Sequence, residues 1–194
     1  MYKRQVVDNG SAPDQALPAS FVESFGPEFR LLDMGPDAPP SPTHGLNEAI
    51  AATTGTNVAM MIDGAHVLTP GVLNQAMTAL DAYAPTVVAT QQWYVGPGQQ
   101  PELGDTYTET DEDGLFEAIE WPSDGYRLFE IGHFIGHRDW FDGMLESNCL
   151  FAPRDLLEQV GGFDDSFSMP GAGYANLEIY ERPVSYTHLT LPTT

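Results

Sequence analysis

Apolar residues run along this chain in short blocks separated by turn formers, and the period changes from block to block. Val6 and Val7 end a strand that breaks at "DNGSAPD", and "FRLLDMG" (29–35) reads as a second short strand. The prolines of "PDAPPSPTHG" then impose an extended loop. In "LNEAIAATTG" the apolar positions Leu46, Ala49 and Ile50 share one helical face, with Gly55 as the expected terminator. Val58 to Ile62 is a continuous apolar run, the pattern of a strand covered on both faces. Thr69-Pro70 predicts a capped helix start, and Val72, Leu73, Ala76, Met77 and Leu80 keep helical spacing behind it. "TVVATQQWYVG" predicts another strand, and this alternation of strands with helices predicts an α/β fold.

Beyond Gly96 the periodicity fades. "ELGDTYTETDEDGLFEAIE" reads as a solvated acidic insertion with a helix over 114–120. An aromatic and histidine-rich segment, "YRLFEIGHFIGHRDWF", follows. Cys149 to Phe151 then predicts a strand, and Arg154 to Val160 a helix closed by Gly161.

The two ends depart from this pattern. Tyr2 to Gln5 can be encoded by TATAAGAGACAG, and the reverse complement of that string, in a shifted frame, encodes Val184, Ser185 and Tyr186. Residues 1–5 and 184–194 are therefore expected to be adapter-derived, leaving 6–183 as part of one domain. Formal net charge is −21. With Lys3 and Arg4 set aside, the cations are Arg30, Arg127, Arg138, Arg154 and Arg182, too few and too dispersed for nucleic acid or an anionic membrane surface. Cys149 is the sole cysteine, which excludes an internal disulfide and fits a reducing, cytoplasmic compartment. No run approaches the roughly 18 apolar residues of a membrane span, although membrane association of a longer parent is not excluded.

In a mostly parallel sheet, ligands gather beyond the carboxyl ends of the strands. Two strands here end on an acid, Val7 on Asp8 and Ile62 on Asp63. A carboxylate is tolerated where a strand leaves the core and meets a cleft. For Asp63 a loop cap is the competing explanation.

The order "VVDNGSAPD", "GLNEAIAATTGTNVAMMID", "NCLFAPRDLLEQVGGFDDSF" resembles the family 2 glycosyltransferases, which transfer sugar from nucleotide diphosphates on a GT-A fold. The resemblance covers most of 6–182 and is weakest from about 96 to 140. It implies a mostly parallel sheet flanked by helices, with its first strand absent here. It implies a bacterial-type, inverting transferase with a nucleotide-diphospho-sugar donor, a hydroxyl acceptor and Mg2+ or Mn2+. Asp8 would then accept hydrogen bonds from the donor's base, Ser11 would shape the pocket, and Asn47, which opens the helix before the metal strand, would bind the nucleotide sugar with them and with Asp63. Asp63 matches the first acid of the family's metal-binding pair, but the second acid's place holds Ala65, followed by His66. A strongly acidic chain needs something positive to meet a pyrophosphate. A divalent metal on Asp63 and His66 supplies it, with Arg138, Arg182 or a helix N-terminus as alternatives. The family's general base falls in "GAGYANLEIYER", where Gly173, Tyr174 and Asn176 replace the usual acids and Glu178 is the nearest carboxylate. "GGFDDSF" resembles the family's Gly-Gly-Phe-Asp-Glu stretch, with Asp164 or Asp165 facing the acceptor or stabilising the turn.

Other readings compete. His133 and His137 are spaced for one helical face, and Asp139 or Glu146 would make a third zinc ligand, but Phe134 stands where a metalloprotease helix carries glutamate. Tyr126, Phe129, Phe134, Trp140 and Phe141 suit either sugar stacking or a core. A non-catalytic sugar- or nucleotide-binding domain on the same scaffold would explain the missing acids. A nucleotidyltransferase of related topology is a further alternative.

Overall fold

The computed structural model describes residues 4–61, 66–98, 104–134 and 148–189, the last six as backbone only. Strand β1 (Arg4–Asp8) pairs in parallel with β2 (Phe29–Asp33), joined by the short helix α1 (Ala19–Glu23). Their register matches Arg4 with Phe29 and Asp8 with Asp33, so both strands end level, each on an aspartate. Arg4 and Gln5, set aside on sequence grounds, extend β1, because backbone pairing accepts any non-proline residue. The Arg4 guanidinium lies 4.8 Å from the Phe29 ring centroid.

Helix α2 (Thr43–Ala52) begins earlier than its apolar face suggests. It ends at Thr53, whose hydroxyl donates to the Ile50 carbonyl at 2.7 Å, rather than at Gly55. The Thr53 side chain satisfies a carbonyl that a left-handed glycine cap would otherwise have covered. Strand β3 (Asn57–Met61) and β4 (Val88–Ala89) flank β7 (Cys149–Pro153), which runs antiparallel to both. Helix α3 (Val72–Ala82) connects β3 to β4, which therefore point the same way. It starts after Gly71, whose φ of 86° turns the chain into the helix, two residues beyond the expected Thr69 cap.

The α/β class holds, but the expected mostly parallel sheet is not what the described residues form. Only β1 and β2 pair in parallel, and β7 fills the slot between β3 and β4 in the opposite direction. The β3-α3-β4 alternation gives two parallel strands without saying that they are neighbours. The strand expected over 86–96 is also two strands. β4 breaks at Thr90, whose N–H and hydroxyl both reach the Cys149 carbonyl, and β5 (Trp93–Val95) pairs antiparallel with β6 (Gly132–Phe134) in a separate sheet.

The acidic segment holds helix α4 (Glu109–Ala118), longer than the expected 114–120. Thr108 and Asp111 form a reciprocal capping box, and acids in the first turn complement the helix dipole. A short α5 (Leu128–Ile131) leads into β6. Helices α6 (Arg154–Val160) and α7 (Ala175–Leu189) complete the chain. As expected, Gly161 closes α6 in the left-handed region.

β7 is the strand covered on both faces. Leu150 and Ala152 join Ile50, Val58, Met60, Leu157, Phe163 and Ile179 in the main core. Cys149 and Phe151 pack on the other side with Ala76 and Leu80 of α3. In β3, by contrast, Val58 and Met60 are buried while Ala59 and Met61 face solvent. Each fully buried large side chain, Leu150, Leu157 and Ile179 among them, contributes about 1.5–3 kcal/mol. No described helix is long and apolar enough to cross a membrane.

Candidate functional site

The level ends of β1 and β2 bring Asp8 and Asp33 to one edge of the parallel pair. Asp8 is buried, and its Oδ1 accepts the Ser11 N–H at 2.8 Å. That backbone bond, helped by the Ser11 side chain, holds the Asp8 carboxyl below its usual range against the opposing effect of burial. Asp33 accepts the Gly35 N–H at 2.8 Å, and Met34 N–H donates to the Asp8 carbonyl at 2.9 Å. The two turns touch at Gly10, where φ is +79° and a Cβ would sit 2.8 Å from the Gly35 carbonyl oxygen. Asn9 ties the proline-rich loop to this edge by donating to the carbonyls of Pro39 (2.9 Å) and Ser41 (3.3 Å). Its Oδ1 is buried without a partner. Asp33 was not singled out from the sequence, although "FRLLD" ends on an acid just as "QVVD" does.

Asn47 is engaged at both ends of its amide. Its Oδ1 accepts the Phe163 N–H at 2.8 Å, and its Nδ2 donates to the Phe163 carbonyl at 2.9 Å and to Asp165 Oδ1 at 3.4 Å. The side chain thus latches α2 to the Gly-Gly-Phe turn. Gly162 makes room for it: φ is +71°, and a Cβ there would lie 2.4 Å from Asn47 Oδ1. Asp164 serves the same turn through the Ser166 N–H at 2.8 Å, which lowers its carboxyl's pKa.

Asp63 lies outside the described residues. His66 is half-buried, with Nε2 3.0 Å from Gln92 Nε2, in the break between β4 and β5. His66 Nδ1 and Gln92 Oε1 are buried with no partner. Among the described residues no three His, Cys, Asp or Glu side chains gather to hold a metal ion.

Glu178, the expected base, is bound through both carboxylate oxygens to Arg182 one helical turn on. The same guanidinium donates to the carbonyls of Val160 (2.6 Å) and Gly162 (2.8 Å), closing the end of α6. Its pKa is raised, chiefly by the Glu178 hydrogen bond. The pair is a structural clamp between α6 and α7. Arg182, the alternative pyrophosphate partner, is committed to the same clamp.

His133 lies exposed on strand β6, paired with Tyr94, so helical spacing does not govern it. His137, Arg138, Asp139, Trp140, Phe141 and Glu146 lie outside the described residues. Phe129 and Phe134 pack against Trp93 at 5.1 and 5.3 Å between centroids, while Tyr126 is exposed.

No protein-family model matches the sequence, and no curated protein matches it. Among solved structures the chain is similar to the mannosyltransferase PcManGT from Pyrobaculum calidifontis, determined in complex with GDP-Man and Mn2+. Identity is 19%, the TM-score is 0.46, and the match covers 91% of this chain and 42% of that one. The chain therefore spans less than half the length of the protein it matches.

Proposed function

We propose that this chain is part of a GT-A glycosyltransferase of family 2 that uses a nucleotide-diphospho-sugar donor and a hydroxyl acceptor. The motif order in the sequence supports this reading, and one structural observation carries it. Asp8, kept ionised by the Ser11 turn, stands level with Asp33 where the parallel strands end and their loops meet. A carboxylate so placed accepts N–H groups of a nucleotide base, and the ionised form makes stronger hydrogen bonds than a neutral acceptor. Ser11, exposed on the same turn, would border the base. Asn47 acts on the pocket indirectly, by fixing the helix that follows the proline-rich loop.

Asp63 remains the residue proposed to bring Mg2+ or Mn2+ to the donor. A protein with 7 Lys and Arg against 28 Asp and Glu has few other means of meeting a pyrophosphate. In a thermal-shift assay, UDP or GDP should raise the melting temperature with Mn2+ or Mg2+ present, and Asp63→Asn should abolish the rise. An equal rise in chelator would remove the metal from the reading.

The clamp on Glu178 favours a second reading, a binding domain without turnover. With its carboxylate engaged by Arg182, Glu178 is not free to take an acceptor proton. Sugar-nucleotide hydrolysis separates the two: an enzyme releases nucleoside diphosphate, whereas a binding module shows affinity alone.

A further inference from the structure

The loop between β2 and α2 carries four prolines, at positions 36, 39, 40 and 42, so it offers carbonyl acceptors but few N–H donors with which to tie itself down. Asn9, one residue past the end of β1, supplies the missing donors. Its Nδ2 donates to the Pro39 carbonyl at 2.9 Å and to the Ser41 carbonyl at 3.3 Å. These partners fix the orientation of the amide, because the opposite one would set Oδ1 against two carbonyl oxygens. The anchor continues into α2, where Ser41 and Thr43 are each 2% exposed and their hydroxyls lie 3.0 Å apart. A Cβ on Gly45 would lie 3.1 Å from Asn9 Oδ1, so the glycine lets the helix close on the amide. On its other side the loop rests on the Asp8 turn, where a Cβ on Gly10 would meet the Ala38 Cβ at 3.2 Å. Pro39 and Pro40, next in the chain, stay exposed.

We infer that Asn9 is a positioning residue that holds the proline-rich loop as the wall against which the donor's base lies, so that the edge of Asp8 and Asp33 takes the nucleoside half of the donor and not its phosphates. Charge separates the two halves. Asp8, Asp33 and Asp37 repel a pyrophosphate, and Arg4 and Arg30 stand toward the opposite ends of β1 and β2, about 10–13 Å away at the rise of a strand. A base is uncharged, its ring faces are apolar, and its edge bears N–H groups for the Asp8 carboxylate. Prolines suit the wall because a stiff loop loses little freedom when a ligand settles on it. The inference rests on the nucleotide-sugar reading for the identity of the ligand, whereas the hold of Asn9 on the loop belongs to the protein alone.

Hydrogen exchange of the whole chain, read at the amides of Gly35, Asp37, Ala38 and Ser41, tests the hold on the loop without any nucleotide. Asn9→Asp has the same shape but cannot donate, and it should speed exchange of these amides about tenfold while β3 and β7 keep theirs. Unchanged exchange in the loop overturns the inference. In the unmodified chain with Mn2+, whichever of UDP and GDP binds should slow exchange of the same amides and inorganic pyrophosphate should not, a result that does not depend on the variant folding. Nucleotide binding without protection there, or equal protection by pyrophosphate, overturns the inference. Asn9→Asp should also weaken that nucleotide about tenfold, and equal affinity counts against the wall. If neither nucleotide binds while Asn9→Asp loosens the loop, the nucleotide-sugar reading fails, the base assignment is overturned with it, and the anchoring by Asn9 stands.

Discussion

Replacing Asn47 with alanine separates two roles that the same residue can play. The resemblance to family 2 transferases implies a donor-binding asparagine, whereas the structure spends both ends of its amide on Phe163. Phe163 is 2% exposed, so truncation strands a backbone N–H and a carbonyl where water reaches poorly. Each such loss costs about 1–3 kcal/mol when buried, and Asn47 itself is only half-buried, so about 3 kcal/mol is expected for the pair. For a chain of this size that corresponds to a fall in melting temperature of about 6–12 °C. Asn47→Asp keeps the acceptor for the Phe163 N–H but turns an anion toward the Phe163 carbonyl and Asp165, so it should not restore stability. Scanning calorimetry with and without GDP reads both quantities. A fall of less than about 1 °C for Asn47→Ala, with nucleotide binding lost, would refute the latch and make Asn47 a ligand.

Three further outcomes follow from the geometry. Gly162→Ala should destabilise at least as much as Asn47→Ala, because its φ of +71° disfavours any side chain and the new Cβ meets Asn47 Oδ1; an unchanged urea midpoint would contradict this. The Ser11 turn holds the folded-state pKa of Asp8 below the usual aspartate value, so its ionised form contributes stability above the unfolded pKa and loses it as pH falls through the folded pKa. Asp8→Asn should therefore flatten the decline in stability below about pH 4, and acid-unfolding curves that superimpose would count against the Ser11 turn. Glu178→Gln should lower stability through the Arg182 clamp while leaving nucleotide affinity unchanged. A transferase rate that collapses with no change in melting temperature would instead restore Glu178 as the base.

Local pattern made much of this chain legible. The ends of β1 and β2, the apolar faces of α2 and α3, and the Gly161 cap follow from residue spacing and turn chemistry. The capping box of α4 was also present as Thr108 and Asp111, but the density of acids around it reads first as solvated loop. What spacing could not supply was partnership between distant segments. The direction of β7 is set by its neighbours, and a run that is apolar throughout looks the same in either direction. The Asn47 latch joins residues 116 positions apart, and the Glu178–Arg182 clamp matters because Arg182 also reaches carbonyls at the end of α6. Gln92 carried no motif at all, and its contact with His66 comes from the break that splits the expected 86–96 strand.

The central claim is that the edge shared by Asp8 and Asp33 receives a nucleoside diphosphate. Isothermal titration of UDP and GDP into the chain, and into Asp8→Asn, tests it most directly. The account predicts measurable binding of at least one of them and a loss of about tenfold in Asp8→Asn, the scale of a charge-assisted hydrogen bond. Absence of heat with both nucleotides, in Mn2+ and in chelator alike, or equal affinity in the variant, would contradict it.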